Sequence, residues 1–409
     1  MLKILIPYFR IPPENGHIMI QIKNILEELE KTEPVDVCWL VYSPYKLDKN
    51  IKYENKMKIL DIHDYQNGLD VLKKEKPDIV FAGADYNLIA YSLCKSAQFL
   101  KILTVGSFST NFFMLESLPF RLNFNLFFYN SRLKFFLYKF YFTIKTQLSI
   151  KMNVFQIIQE NLLLLKYNLK NQILTMEPKF SADLHWLASE SLIKPLLNAG
   201  FKRNSLVVTG DPTYDKIFSR LNKLEPKKQD KKIDILFAPS TYYEHGLCSE
   251  FEQDAAINEI ISTILQNKEE WNLIIKIHPA STDLKKYKKL IDKIDIKIPI
   301  YQNEDIVDLI IKSDIVIVFP ETSVIPQALI AQKLIIVYNF LDRKDMFVTK
   351  GCALECKNNE MLFNMIKSKD KNSISKEKIV EEIEKLYYKV DGLASQRVAE
   401  NIIKRITNR

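Results

Sequence analysis

Asn272-Leu-Ile-Ile-Lys-Ile-His-Pro279 and Asp314-Ile-Val-Ile-Val-Phe-Pro-Glu-Thr-Ser323 are the two stretches of the chain that decide its fold. Each contains a short apolar run, rich in β-branched residues, of the kind that forms a strand buried on both faces. The first run ends in a His-Pro pair, and the second ends in polar residues that precede a helical pattern. Two such strands predict an open parallel sheet with ligand-binding groups at its carboxyl edge.

The alternation of strand and helix extends through the second half of the chain. We predict strands at 233–239, 272–277, 296–300, 314–319 and 333–338. We predict helices at 251–267, 282–293, 304–312, 323–331 and 359–367. Residues 345–355 show no period and are predicted to be irregular, whereas 374–406 are predicted to be mostly helical. Strict alternation is typical of a doubly wound α/β domain.

The first half of the chain repeats this pattern and then departs from it. Strands are predicted at 2–7, 35–42, 58–62, 77–83 and 100–105, with a short strand at 182–188. Residues 112–175 are predicted to be a helical, aromatic-rich insertion. A polar, lysine-rich stretch at 221–232 has no apolar period and marks a domain boundary. We therefore predict domains at 1–220 and 221–385, with a C-terminal helix at 386–409 returning toward the first domain.

Length and composition favour two globular domains. The chain has 409 residues, 47% of them hydrophobic, and a net charge of +8. A moderate positive charge favours anionic ligands or an anionic membrane surface, and without a recognition motif it gives little support to nucleic acid as a partner. The five cysteines include one close pair and no matching His cluster, so zinc is not expected and a reducing cytoplasm fits best. The apolar runs are too short for a signal peptide or a membrane span.

Several families of enzyme are disfavoured by missing motifs. The chain has nine glycines and contains no Gly-x-Gly-x-x-Gly, no Walker loop and no Gly-x-Ser-x-Gly. These glycine-rich turns bring a backbone close to phosphates or hold a nucleophile. Nicotinamide-dependent, kinase-type and hydrolase-elbow chemistry are therefore disfavoured, and we expect neither a cofactor nor a catalytic metal.

Aromatic and basic residues are interleaved at 112–145. Interleaving of this kind is found in helices that lie on a membrane surface, with lysine and arginine reaching the headgroups. It is equally consistent with helices that pack on the sheet or against a second subunit. We expect peripheral membrane contact through 112–145 as one of these possibilities.

The strongest candidate site is a phosphate site formed by His278 and Ser323. The imidazole can donate to a phosphate oxygen, and Pro279 biases His278 toward extended geometry at the sheet edge. We place the two residues at neighbouring strand ends, with Thr322 beside Ser323. Glu321 could accept hydrogen bonds from ribose hydroxyls. The alternative is that His278 ends a strand within the core and that the Thr322-Ser323 pair only caps a helix.

Two further loops complete the predicted nucleotide site. The backbone near Tyr301 follows a strand and could read a nucleobase. Ser240 and Thr241 follow the first strand of the second domain and could approach the phosphates from the other side. The alternative is that these loops are merely polar and bind no ligand, since such loops have the same sequence features.

Catalytic residues are expected in the first domain. His17 begins the first helix after the first strand, and its ordinary pKa lies close to working pH, as a general base requires. Asp85, at the end of the fourth strand, is the competing base. Either residue could instead be an ordinary loop or cap residue.

Taken together, these motifs resemble the GT-B glycosyltransferases, which have two Rossmann-like domains facing a cleft and a returning C-terminal helix. The stretches 181–215, 313–329, 333–337 and 391–397 resemble segments of hydrolysing UDP-N-acetylglucosamine 2-epimerases. The stretch Lys276-Ile-His-Pro279 is similar to the His-Pro motif of bacterial sialyltransferases, Kdo transferases and capsule or teichoic-acid polymerases. In those families the His and a later Ser hold the phosphate of the nucleotide, which implies the same roles for His278 and Ser323.

The chain departs from the epimerase pattern at two points. The epimerases carry an Asp-Ser-Gly-Gly type of turn where this chain has Glu321-Thr-Ser-Val324, and a His-Arg-x-Glu-Asn element where it has Ser240-Thr-Tyr-Tyr-Glu-His245. We therefore expect a metal-independent glycosyltransferase that uses a CMP- or UDP-linked sugar and a glycan or glycolipid acceptor. Its setting would be capsule or lipopolysaccharide synthesis at the inner face of the cytoplasmic membrane. An epimerase and a non-catalytic nucleotide-sugar binder are the alternatives.

Overall fold

The computed structural model of the chain describes residues 1–9, 17–47, 58–82, 87–108, 130–169, 182–221, 232–244, 246–278, 298–368 and 375–409. The chain divides into two compact units. Unit 1 comprises Met1–Thr213, Leu386–Lys389 and Leu393–Arg409, and unit 2 comprises Tyr214–Lys385 and Val390–Gly392.

The elements alternate along the chain. The first part of unit 1 contains, in chain order, β1 (Leu2–Tyr8), α1 (His17–Glu30), β2 (Val35–Val41), β3 (Lys58–Asp61), α2 (Gly68–Glu75), β4 (Ile79–Phe81), α3 (Leu88–Leu100), β5 (Leu103–Phe108), α4 (Asn130–Ser149), α5 (Val154–Leu169), β6 (Leu184–Leu187), α6 (Ile193–Asn198) and β7 (Leu206–Val208). Unit 2 contains α7 (Asp215–Leu221), β8 (Ile233–Ala238), α8 (Glu250–Leu265), β9 (Trp271–Lys276), β10 (Ile300–Tyr301), α9 (Ile306–Lys312), β11 (Ile315–Val318), α10 (Val324–Ile330), β12 (Leu334–Tyr338), α11 (Met346–Thr349), β13 (Leu354–Cys356), α12 (Asn359–Ser368) and α13 (Lys376–Tyr387). The last helix, α14 (Ala394–Thr407), belongs to unit 1, as do the last two residues of α13.

Unit 1 is built on a parallel sheet covered on both faces. The order of its described strands is β3-β2-β1-β4-β5-β6-β7. Alternate residues of β1 point to opposite faces, as strand geometry requires. Ile4 packs in one cluster with residues of α1 and α14, and Leu5 packs in another with residues of α2, α3 and α4. Helices on both faces confirm the predicted doubly wound architecture.

The C-terminal helix packs against unit 1. Val398 and Ile402 of α14 lie in the same apolar cluster as Ile22 of α1. Gly210 allows the close approach of this part of the chain: it has φ +89°, and a Cβ there would lie 3.2 Å from the Cβ of Ala394. The predicted return of the last helix to the first domain is confirmed.

Unit 2 has a second parallel sheet. The order of its described strands is β10-β9-β8-β11-β12-β13. Counted within each unit, the first six strands of both sheets follow the order 3-2-1-4-5-6, which is that of dinucleotide-binding folds, and unit 1 adds a seventh strand beside the sixth. The core contains Ile235, Phe237, Ile275 and Ile317 from the strands, together with Ile260 of α8, and all five are buried. The second predicted doubly wound domain is confirmed.

Several predicted bounds need correction. Residues 345–355 are not irregular, because α11 lies within them and β13 begins there and pairs with β12, placing Leu354 opposite Ile336. The fifth strand begins at Leu103, after α3 has ended at Leu100. The predicted helix at 282–293 lies outside the described residues, as does 112–129 of the insertion. Among the described helices, none is long and apolar enough to cross a membrane.

Candidate functional site

The candidate site in unit 2 lies where the strand order reverses. β8 and β11 are neighbours in the sheet, with Ile315 opposite Ile235. Because the connections after the first and fourth strands leave toward opposite faces, a crevice opens at their carboxyl ends. The loop after β8 carries Ser240 and Thr241, and the loop after β11 carries Glu321, Thr322 and Ser323. The structure therefore places five of the predicted residues in the two loops that follow these neighbouring strands.

Tyr242 joins the two sides of this crevice. Its hydroxyl donates to the carbonyl of Pro320 at 2.5 Å. Its ring lies 5.6 Å from that of Phe319, centroid to centroid. Burial raises the pKa of Tyr242, so that the phenol stays protonated and remains a donor at neutral pH. Thr241 beside it is also buried, and of the two predicted loop residues Ser240 is the more accessible.

The loop after β11 has an unusual backbone conformation at Glu321. This residue has φ +59°, a value that residues other than glycine adopt only when their surroundings hold them there. Its amide donates to Oδ2 of Asp345 at 2.9 Å, and Oδ1 of Asp345 accepts the amide of Phe347 at the start of α11. The buried Asp345 carboxylate therefore joins the loop after β11 to the segment after β12.

Arg343 contacts both sides of the crevice and was not found from the sequence. Its Nε donates to Oε2 of Glu321 at 3.1 Å. Its guanidinium carbon lies 5.6 Å from the ring centroid of Tyr242. The structure therefore places a cation beside the predicted ribose-binding carboxylate. Glu321 already has one protein partner, and a ribose would have to share the carboxylate with Arg343.

Ser323 stands immediately before α10 and is exposed. Its hydroxyl makes no cap hydrogen bond to the helix. Thr322 makes the cap contact instead. Its Oγ1 accepts a hydrogen bond from the amide of Val324 at 3.4 Å, which is a long distance for such a bond. The simple capping role considered for Ser323 is therefore not observed.

On the side of β8 away from β11, Lys276 connects the ends of β9 and β10. Its side chain is buried, and its ammonium donates to the carbonyls of Ile277 at 3.0 Å and Gln302 at 2.7 Å. Burial lowers the pKa of Lys276, while the carboxylates of Glu304 and Asp305 oppose that shift. His278 follows two residues later and is exposed at the sheet edge, as predicted. Pro279 lies outside the described residues.

The backbone groups near Tyr301 are engaged within the protein. The amide of Ile277 donates to the carbonyl of Tyr301 at 2.9 Å. The amides of Gln302 and Asn303 donate to Oε2 of Glu304 at 3.0 and 3.1 Å. A nucleobase read at this strand end would have to compete with these contacts.

His278 and Ser323 are not at neighbouring strand ends, contrary to the prediction. β8 lies between β9 and β11. Adjacent strands are about 4.8 Å apart, so the ends of β9 and β11 are separated by roughly 10 Å. Hydrogen bonds of about 2.8 Å on each side of a phosphate group cover most of that span. The corrected order thus remains compatible with a phosphate between the two residues.

The candidate bases of unit 1 follow the corresponding strands of their own sheet. β1 and β4 are neighbours, with Ile4 opposite Ile79. α1, the helix that follows β1, begins at His17, and Asp85 follows β4 in the sequence. The side chain of His17 and the whole of Asp85 lie outside the described residues. Their strands nevertheless meet where the strand order of unit 1 reverses.

The described residues contain no group of three or more His, Cys, Asp or Glu side chains placed to hold a metal ion.

Comparisons with known proteins identify the fold. No protein-family model matches the chain, and no curated protein matches it by sequence. The S. aureus MnaA–UDP structure aligns with a TM-score of 0.57 and 15% identity, covering 100% of this chain and 97% of that one. The Neisseria meningitidis UDP-GlcNAc 2-epimerase bound to UDP-GlcNAc aligns at 0.56 and 15%, covering 98% and 100%. The wall teichoic acid polymerase TagF aligns at 0.57 and 13%, covering 100% and 89%.

These similarities agree with the two sheets described above. Two parallel sheets that share the order of their first six strands, the return of α14 to unit 1 and full-length alignment to these structures define the class: the chain has the GT-B fold. The predicted fold class is confirmed. At 13–15% identity the comparisons show the fold and not the reaction.

Proposed function

We propose that the protein is a metal-independent glycosyltransferase that uses a nucleotide-activated sugar, CMP- or UDP-linked, to extend a surface polysaccharide or glycolipid. The observation that supports it most directly is the crevice of unit 2, where the exposed His278 lies on one side of β8 and the exposed Ser323 on the other. Structures that share the fold include UDP and UDP-GlcNAc complexes and a teichoic acid polymerase.

On the donor side, His278 and Ser323 hold the phosphate of the leaving nucleotide. Their hydrogen bonds strengthen as negative charge develops on the phosphate oxygen, which stabilises the transition state more than the ground state. Arg343 contacts Oε2 of Glu321, and a ribose hydroxyl would donate to Oε1. Ser240 contributes from the loop after β8, while Tyr242 and Lys276 hold the loops in position.

On the acceptor side, we assign the general base to His17 or Asp85. The base takes the proton from an acceptor hydroxyl, and the oxygen attacks the anomeric carbon of the sugar. The bond from that carbon to the phosphate oxygen breaks, and the nucleotide leaves with the bonding electron pair. The reaction needs no redox cofactor, because no atom is oxidised or reduced.

A nucleotide screen tests the donor site. A ligand that binds only the folded state raises its melting temperature by mass action. We expect CMP or UDP to stabilise the protein most, and CDP, GDP and adenine nucleotides to have smaller effects. If none of the four changes the melting temperature at millimolar concentration, the proposed donor site is refuted.

The similarity to epimerases supports a second candidate, a hydrolysing UDP-N-acetylglucosamine 2-epimerase. That reaction releases UDP and N-acetylmannosamine without an acceptor, whereas a transferase gives nucleotide release that depends on an added glycan. A product assay on UDP-N-acetylglucosamine, with and without acceptor, separates the two. Binding without turnover of any donor would instead identify a non-catalytic nucleotide-sugar binder.

A further inference from the structure

One side of helix α5 is apolar and exposed. The side chains of Val154, Phe155, Ile158 and Leu162 are 67%, 66%, 53% and 63% exposed. Their spacing of one, four and eight residues from Val154 places them on one side of the helix. We refer to these four residues as the α5 apolar face. Exposed apolar residues scattered singly are ordinary, but a contiguous group on one helix face marks a surface that binds something.

The opposite side of α5 is held in unit 1 by buried polar contacts. The carboxylate of Glu160 accepts hydrogen bonds from Tyr91 and, at 3.1 Å, from Lys95 on α3. Asn161 donates to Oε1 of Gln147 on α4 at 2.6 Å. Because these contacts set the rotation of the helix about its axis, the outward direction of the α5 apolar face is fixed by the fold.

The apolar surface continues on α4. Leu137, Tyr141 and Leu148 are each more than half exposed, and their spacing of four and seven residues places them on one side of that helix. Leu148 precedes the turn between the helices, and Val154 and Phe155 follow it. Exposed apolar side chains therefore stand on both sides of the turn between the two helices.

Cations flank this surface, and acidic side chains are almost missing from the sequence around it. Residues 130–169, the described part of this region, contain six basic residues and one acidic residue, the buried Glu160. Lys151 lies in the turn three residues before α5, and Lys166 lies one turn beyond Leu162; both are exposed. Lys145 lies over the ring of Tyr141, 4.6 Å from its centroid.

We propose that the α5 apolar face docks on an anionic phospholipid surface. Apolar side chains entering the interface between headgroups and acyl chains, with lysines at its rim, match the chemistry of such a surface. A second copy of the chain would bring like charges together, which opposes association. This proposal is independent of the proposed function.

The α5 apolar face lies outside 112–145, the range in which the sequence predicts membrane contact. Within the described part of 112–145, Phe136 and Phe142 are buried and pack with residues of α3. Most of the aromatic rings in this described part pack in the core. This agrees with the alternative interpretation, in which the helices pack within the protein. The exposed apolar surface lies mainly on α5, beyond that range.

Co-sedimentation of the full chain with vesicles tests the proposal. We expect binding to vesicles of phosphatidylcholine mixed with phosphatidylglycerol, weaker binding at high salt, and little binding to phosphatidylcholine alone. The variant F155Q/I158Q/L162Q should bind at least about tenfold more weakly. The variant K151E/K166E should lose about thirtyfold. All substituted side chains are exposed, so the fold should be retained.

Two control variants on unit 2 match these changes. F251Q/M361Q/V380Q replaces three exposed apolar residues, and K268E/K376E makes the same change in net charge. Both should bind the anionic vesicles as the unsubstituted protein does. Equal binding by F155Q/I158Q/L162Q and the unsubstituted protein would overturn the proposal, as would equal loss in the controls. A dimer that this triple substitution dissociates, without vesicle binding, would assign the face to a second copy.

Discussion

Arg343 shows why part of the site is invisible in the sequence. It lies between Asp342 and Lys344, in a charged stretch that has no period. Its partner Glu321 is 22 residues away in the chain, and only the pairing of β11 with β12 brings the two loops to one edge of the sheet. His278 and Ser323 could be predicted because each is a polar residue directly after a buried strand. Arg343 has no comparable signal.

Lys276 lies within the His-Pro motif that located the site, but the sequence alone assigns it no role there. A lysine inside a strand is usually taken to be at its exposed edge, since burying an ammonium is costly unless it finds partners. Here the carbonyls of Ile277 and Gln302 supply those partners. The residue therefore positions the end of β9, which carries His278, against the end of β10.

His185 gives a prediction about acid stability. This histidine is fully buried in β6 beside Phe201, and burial lowers its pKa from 6.5 to about 3. The folded state thus binds the proton more weakly than the unfolded state does. Its contribution to stability is complete above pH 6.5 and is lost as the pH falls toward about 3.

The variant His185→Phe removes this titration. Between neutral pH and about pH 4.5, the unsubstituted protein should lose roughly 3 kcal/mol more of its unfolding free energy than the variant does. Urea denaturation at the two pH values measures the difference. If the two proteins differed in unfolding free energy by the same amount at both pH values, His185 would not contribute to acid lability.

At the level of secondary-structure elements, the periodicity of apolar residues predicts strands and helices well where the elements are long. β11 and β12 are continuous apolar runs, β8 and β9 are mostly apolar, and their predicted positions agree with the structure to within one residue. β13 was missed because Leu354–Cys356 is three residues long and contains a central glutamate. A strand that short is specified by pairing with β12 and by burial of Cys356, not by its own sequence.

The start of α8 offers a local test of helix capping. Ser249 accepts the amide of Glu252, and the carboxylate of Glu252 accepts the amide of Ser249, which forms a capping box. Replacing Ser249 with Ala should lower the unfolding free energy by about 1 kcal/mol.

The control is Ser262→Ala on the same helix. Ser262 is exposed, and its hydroxyl only bonds back to the carbonyl of Glu259. Because alanine favours the helix interior, this change should be neutral or slightly stabilising. Equal effects of the two substitutions in urea denaturation would contradict the role assigned to Ser249.

For the whole molecule, the fold class could be predicted but the order of the strands could not. Alternating strands and helices imply parallel sheets with right-handed crossovers. Those rules do not specify that the fourth strand of each sheet returns beside the first. This return places β8 between β9 and β11 and corrects the predicted adjacency of His278 and Ser323. It also makes β1 and β4, which precede His17 and Asp85, neighbours.

The central claim is that unit 2 binds the phosphate of a nucleotide through His278. Isothermal titration calorimetry of the nucleotide that stabilises the protein best, with His278→Ala and the unsubstituted chain, tests it directly. His63→Ala in unit 1 is the matched control, since that imidazole contacts the carbonyl of Ser43 and lies in the turn after β3, in the other unit. We expect His278→Ala to abolish measurable binding and His63→Ala to retain it. Unchanged affinity in His278→Ala would contradict the account.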